Sequence, residues 1–134
     1  MKRSILVIDD NKAIRFLLQT NFNKKYQVTT AANGYSAMHW LTKKNVPDLI
    51  VADAALPDMR EWELIEYLVS SRLYGTIPLI VLSDAAKDDT QHICKELGVK
   101  QFFLKPFDPL DLVIAVDGLV SAKKTIQESF LKLV

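Results

Sequence analysis

Cysteine is nearly absent: Cys94 is the only one in 134 residues. No intrachain disulfide can form, and no cysteine-rich metal site exists. A reducing compartment, the cytoplasm, is the natural setting for such a chain. Excess charge of one sign is missing too. Seventeen basic residues face sixteen acidic ones, for a net charge of +1, whereas a nucleic-acid surface shows a strong basic excess. The pairs Lys24–Lys25, Lys43–Lys44 and Lys123–Lys124 are scattered and read as solvated surface, so no direct nucleic-acid partner is expected. Long hydrophobic runs are also lacking. Met1-Lys2-Arg3-Ser4 is followed by only four strongly apolar residues before Asp9, too few for the core of a signal peptide. Nothing approaches the roughly 18 apolar residues that cross a bilayer, and no membrane partner is expected. There is no internal repeat, low-complexity segment, Rossmann glycine fingerprint, helix-turn-helix or zinc motif.

What is present fits one globular domain: 49% of the residues are hydrophobic and 25% charged, enough for a sizeable core and against disorder. Four continuous apolar runs stand out, Ile5–Ile8, Leu49–Ala52, Leu79–Leu82 and Phe102–Leu104. Continuous rather than alternating runs suit strands covered on both faces, as in a parallel sheet between helices. A fifth run, Tyr26–Ala31, is more polar and is the best candidate for an edge strand. Between the runs lie segments of helical periodicity: Lys12–Phe22, Tyr35–Lys43, Glu63–Arg72 and Asp88–Leu97, the last stopped by Gly98, with a further helix opening at Pro109. Five strand–helix repeats imply an α/β fold with a parallel sheet. A polar second strand at one edge makes 2-1-3-4-5 the simplest order, the flavodoxin-like doubly wound sheet. Such sheets bind ligands beyond the carboxyl ends of their strands, where strand order reverses.

The polar residues after each run therefore matter. Asp9 and Asp10 follow the first strand, Asp53 the third, Ser83 the fourth and Lys105 the fifth. Singly, each has an ordinary reading as a cap, turn or surface residue. Together, at one edge, they form a constellation. Three carboxylates in one cleft repel and need a counter-charge. Mg²⁺ suits an all-oxygen site, and no His or Cys stands nearby to favour zinc. With Lys105 as a second cation and Ser83 as a hydroxyl donor, a carboxylate nucleophile here suits phosphoryl transfer. His39, His92, Cys94, Trp40 and Trp62 read as packing or surface residues.

The stretch Asp48–Met59, with Pro57 four and Met59 six residues after Asp53, resembles the phosphorylation-site segment of response-regulator receiver domains. Asp9-Asp10, Ser83 and Lys105-Pro106-Phe107 resemble the family's other signature positions, in register from about Ser4 to Val120. The resemblance implies that Asp53 is the phosphoacceptor. It implies that Asp9, Asp10, Asp53 and the backbone carbonyl of Ala55 bind Mg²⁺, with Asp9 acting directly or through water. Ser83 would hydrogen-bond the phosphoryl group and switch position. Lys105 would pair with Asp53 or a phosphoryl oxygen, and the Lys105–Pro106 bond would be cis. Phe102 has two readings, a switch residue or plain core packing. The implied partners are a histidine kinase or phosphotransfer protein, and a homodimer through the face formed by the fourth helix, fifth strand and fifth helix. The domain would assist its own phosphorylation and dephosphorylation and be no enzyme otherwise.

Two residues depart from the family pattern. Glu61 stands where the family has Gly, and Asp84 follows Ser83 where a small apolar residue is common. A Glu at a positive-φ position would cost about 1 kcal/mol or force another loop shape. Asp84 would repel anionic phosphodonors or crowd the entrance, slowing both phosphorylation and hydrolysis. Residues 1–120 are expected to form the receiver, and 121–134 a helical extension carrying Ile126, Phe130, Leu133 and Val134. That extension is either a linker to an absent output region or a helix that meets a partner. Other functions fit the residues less well. A receiver-fold binding module that is rarely phosphorylated draws only on Glu61 and Asp84. A phosphohydrolase needs an acid/base where Ala55 stands. A flavodoxin needs a Ser/Thr-rich phosphate loop after the first strand.

Overall fold

The computed structural model describes residues 2–84 and 88–133. Strands and helices alternate: β1 (Arg3–Ile8), α1 (Lys12–Phe22), β2 (Tyr26–Ala31), α2 (Gly34–Thr42), β3 (Leu49–Asp53), α3 (Glu63–Ser70), β4 (Leu79–Asp84), α4 (Thr90–Leu97), β5 (Gln101–Lys105) and α5 (Pro109–Leu133). The five strands are all parallel and lie in the order β2-β1-β3-β4-β5. This is the flavodoxin-like sheet anticipated from the apolar runs, with the polar β2 at one edge.

The period-2 alternation of strand side chains sends alternate residues to opposite faces, and each face is buried. Ile5, Val7, Leu49, Val51, Ile80 and Leu82 pack with Leu18 and Phe22 of α1 and with Leu112 and Val116 of α5. Leu6, Ile8, Ile50, Ala52 and Val81 pack with Leu41 of α2, Ile65 of α3 and Cys94 of α4. Helices α1 and α5 thus cover one side of the sheet, and α2, α3 and α4 the other.

Local signals set the helix ends. Asn11 and Asn33 cap α1 and α2, accepting from Ile14 N at 3.1 Å and Ser36 N at 2.8 Å. Gly98 ends α4 in the left-handed conformation, φ 79°. Helix α2 is shifted by one residue at each end, and two boundaries differ from the periodicity by two residues. Helix α3 stops at Ser70, before Arg72, because the Ser71 hydroxyl accepts from Leu73 N and Tyr74 N. Helix α4 starts at Thr90 rather than Asp88, with Asp89 at the cap position.

The backbone of α5 stays helical to Leu133. The side chains of Ile126, Phe130 and Leu133, and Val134 itself, lie outside the described residues. Among the described residues no helix is long and apolar enough to cross a membrane.

Candidate functional site

The carboxyl ends of β1, β3, β4 and β5 meet at one rim, and the strand pairing runs further than the apolar runs indicated. It includes Asp53, Ser83 and Lys105 as strand residues. Asp9 and Asp10 follow β1 directly. Asp9 is fully buried: its N–H donates to Ala31 O at 3.1 Å, its Oδ1 accepts from Asn11 N at 2.9 Å, and Arg15 Nη1 donates to its carbonyl at 2.8 Å. Asp53 is also buried, and its Oδ1 accepts from Ala55 N at 2.7 Å.

Lys105 joins the two buried acids. Its ammonium donates to Asp53 Oδ2 and lies 2.8 Å from Asp9 Oδ2. Asp10 is exposed and completes a group of three carboxylates, each with an oxygen within 4.8 Å of the others. Asp10, Asp53, Ala55, Ser83 and Lys105 line one cleft of ≈ 260 Å³. The residues to which the sequence pointed therefore meet in space.

Two carboxylates share one ammonium, and the electrostatics follow from that ratio. Burial is the main cause of a raised Asp53 pKa, and the Asp9 charge adds to it. The Lys105 and Ala55 hydrogen bonds oppose it without cancelling it. Burial works against the charged Lys105, yet its contacts with Asp53 and Asp9 hold its pKa above the ordinary lysine value.

Asp9 Oδ2 is buried and has no well-aligned hydrogen bond among the described residues, although Lys105 stands beside it as an ion pair. A buried carboxylate oxygen in that condition, next to two further carboxylates, is a donor set suited to a hard divalent cation. The residues present therefore fit Mg²⁺.

The loop after Asp53 is held from several sides. Ala54 N donates to Leu82 O at 2.9 Å, and Trp62 N donates to Ala54 O at 2.8 Å. Asp58 accepts from Gly34 N at 2.9 Å and Tyr35 N at 2.8 Å, clasping the first turn of α2. Those two N–H groups, Tyr35 first, hold the Asp58 carboxyl below its usual range. The positive φ expected around Glu61 falls one residue later, on Trp62 at 71°. The left-handed residue is therefore Trp62 and not Glu61, and the Trp62 indole is buried.

Glu61 and Asp84 both line the cleft. Phe102 is half-buried and packs against the side of the core covered by α2, α3 and α4. The Lys105–Pro106 bond is cis. His39 stacks on Tyr35, and His92 pairs with Glu96 at 3.1 Å; neither lines the cleft.

One residue escaped the sequence reading. Thr90, at the start of α4, donates from Oγ1 to Ser83 Oγ at 2.8 Å, and both side chains are buried. No strand end or motif marks it.

The family model of the response regulator receiver domain matches residues 5–117. The chain belongs to the response-regulator receiver family. Sporulation initiation phosphotransferase F of Bacillus subtilis is 37% identical to this receiver over 109 residues, covering 81% of this chain and 86% of that protein. Hybrid signal transduction histidine kinase D of Dictyostelium discoideum is 32% identical over 126 residues, which are 94% of this chain and 8% of the kinase. The receiver domain of Francisella response regulator 1452 superposes with a TM-score of 0.80 at 27% identity, covering 91% of this chain and 99% of that one. The receiver is thus a module of two-component signalling.

Proposed function

We propose that this receiver is a phosphorylation-controlled switch that accepts a phosphoryl group on Asp53. The observation that carries the reading is the meeting of Asp53 with Asp9, Asp10, Ser83 and Lys105 at one rim. Asp9, Asp10, Asp53 and the Ala55 carbonyl would hold Mg²⁺. When bound, the ion offsets negative charge on the carboxylates and on phosphoryl oxygens.

An Asp53 oxygen forms the new bond to phosphorus while the bond to the leaving group breaks. The leaving group departs with the electron pair. Lys105 stabilises the charge spreading onto phosphoryl oxygens, and the Ser83 hydroxyl donates to one of them. The same residues assist hydrolysis, in which a water oxygen bonds to phosphorus while the bond to the Asp53 oxygen breaks and phosphate leaves, and no other turnover is assigned.

A histidine kinase or phosphotransfer protein in the cytoplasm is the proposed donor. The modified domain, residues 1–120, then binds a target or a second copy through α4, β5 and α5. Ser83 and Phe102 are the proposed switch residues, and 121–134 the proposed extension toward a partner or output region.

Intact-mass measurement after incubation with Mg²⁺ and a small phosphodonor tests the reading. One phosphate adduct is expected on the wild type and none on Asp53→Ala. An adduct that survives in the variant overturns Asp53 as the acceptor.

A further inference from the structure

A hydroxyl carries one proton and accepts through two lone pairs. Thr90 Oγ1 lies 2.8 Å from Ser83 Oγ on a neighbouring element and is placed to donate to it. With Thr90 as the donor, the Ser83 proton remains for a second acceptor. Ser83 is 4% exposed and Thr90 2%, so neither hydroxyl exchanges its partner freely with bulk water. Ser83 also lines the cleft that holds Asp53.

We propose that Thr90 is a positioning residue for Ser83. Its hydroxyl holds the Ser83 oxygen so that the Ser83 proton serves an acceptor in the cleft, a phosphoryl oxygen on Asp53. The inference rests on the proposed role of Asp53. Hydrogen bonds in series polarise one another in a buried site, so the Thr90 bond strengthens Ser83 as a donor. Because Thr90 is the first residue of α4, the same bond connects the state of the cleft to the first turn of that helix.

The test compares Thr90→Val, which keeps the shape and removes the hydroxyl, with Thr90→Ser, which keeps the hydroxyl. Each is made alone and with Ser83→Ala. Adduct formation on Asp53 is timed by intact mass with phosphoramidate and Mg²⁺, and the amides of residues 90–93 are followed by NMR before and after modification.

Thr90→Val is expected to slow adduct formation about fivefold, the scale of one hydrogen bond, while Thr90→Ser stays near wild type. In the Ser83→Ala background Thr90→Val should add no further slowing. The amides of residues 90–93 should shift on modification in wild type and Thr90→Ser and stay in place in Thr90→Val. If Thr90→Val does not fold, Thr90→Ala takes its place with the same expectations.

Wild-type behaviour of the hydroxyl-free variant overturns the inference. So does equal slowing with and without Ser83. Failure of the wild type itself to form an adduct overturns the reading of Asp53, and the inference with it.

Discussion

Lys105 donates a hydrogen bond to Asp53 from a position 52 residues further along the chain. The bond joins the ends of two strands that are not neighbours in the sheet, since β4 lies between β3 and β5. Asp9 competes for the same ammonium.

Burial of Asp53, with the Asp9 charge adding to it, sets a pH dependence. A carboxyl whose pKa is raised by folding, from 3.8 for Asp53, favours the folded state while protonated. The advantage is lost as pH rises through the folded value. At neutral pH the ionised Asp53 therefore weighs against folding. Without Mg²⁺, Asp53→Asn should raise the urea midpoint at neutral pH, and the gain should shrink toward about pH 4. Urea titrations at both pH values check this; a lower midpoint for the variant at neutral pH would contradict it.

Lys105→Met removes the ammonium that pairs with both the Asp9 and Asp53 carboxylates. Breaking a buried pair from one side is costly. With 22% of the lysine side chain exposed, the expected loss is about 2–3 kcal/mol, at or below the lower end for such pairs. Added Mg²⁺ should restore part of it by binding the folded state. Urea unfolding with and without Mg²⁺ measures both effects, and an unchanged midpoint in metal-free buffer would exclude this account.

Trp62 combines a left-handed backbone with a buried indole. Glycine would relieve about 1 kcal/mol of backbone cost. Loss of the indole should cost about 3–5 kcal/mol, so Trp62→Gly is expected to be less stable by about 2–4 kcal/mol. Chemical denaturation decides; a variant as stable as the wild type would mean that backbone strain dominates.

Asp84 stands at the cleft beside Ser83. Its charge should slow an anionic phosphodonor, so Asp84→Ala should form the adduct about two- to fivefold faster at low salt, with less difference at high salt as screening grows. Stopped-time mass spectra with acetyl phosphate read the rate, and equal rates at low salt would remove Asp84 as a brake.

The fold was legible because strands buried on both faces need continuous apolar runs, as in Ile5–Ile8 and Leu49–Ala52. The meeting of Asp9, Asp10, Asp53, Ser83 and Lys105 at one rim was legible because each follows such a run. The Trp62 conformation was less legible: the pattern pointed to Glu61, and hydrogen bonding to Ala54 moved the left-handed residue by one place. The Asp58 clasp joins the loop after β3 to the first turn of α2, and no periodicity encodes that contact.

Side-chain type and spacing along the chain were enough to determine the strand order and the charges at the rim, because burial imposes a repeating pattern on sequence. Only the tertiary structure decided that one ammonium serves two carboxylates and that Thr90 reaches Ser83. Those contacts depend on the directions of side chains from different elements, and distance in space between such elements leaves no periodic trace.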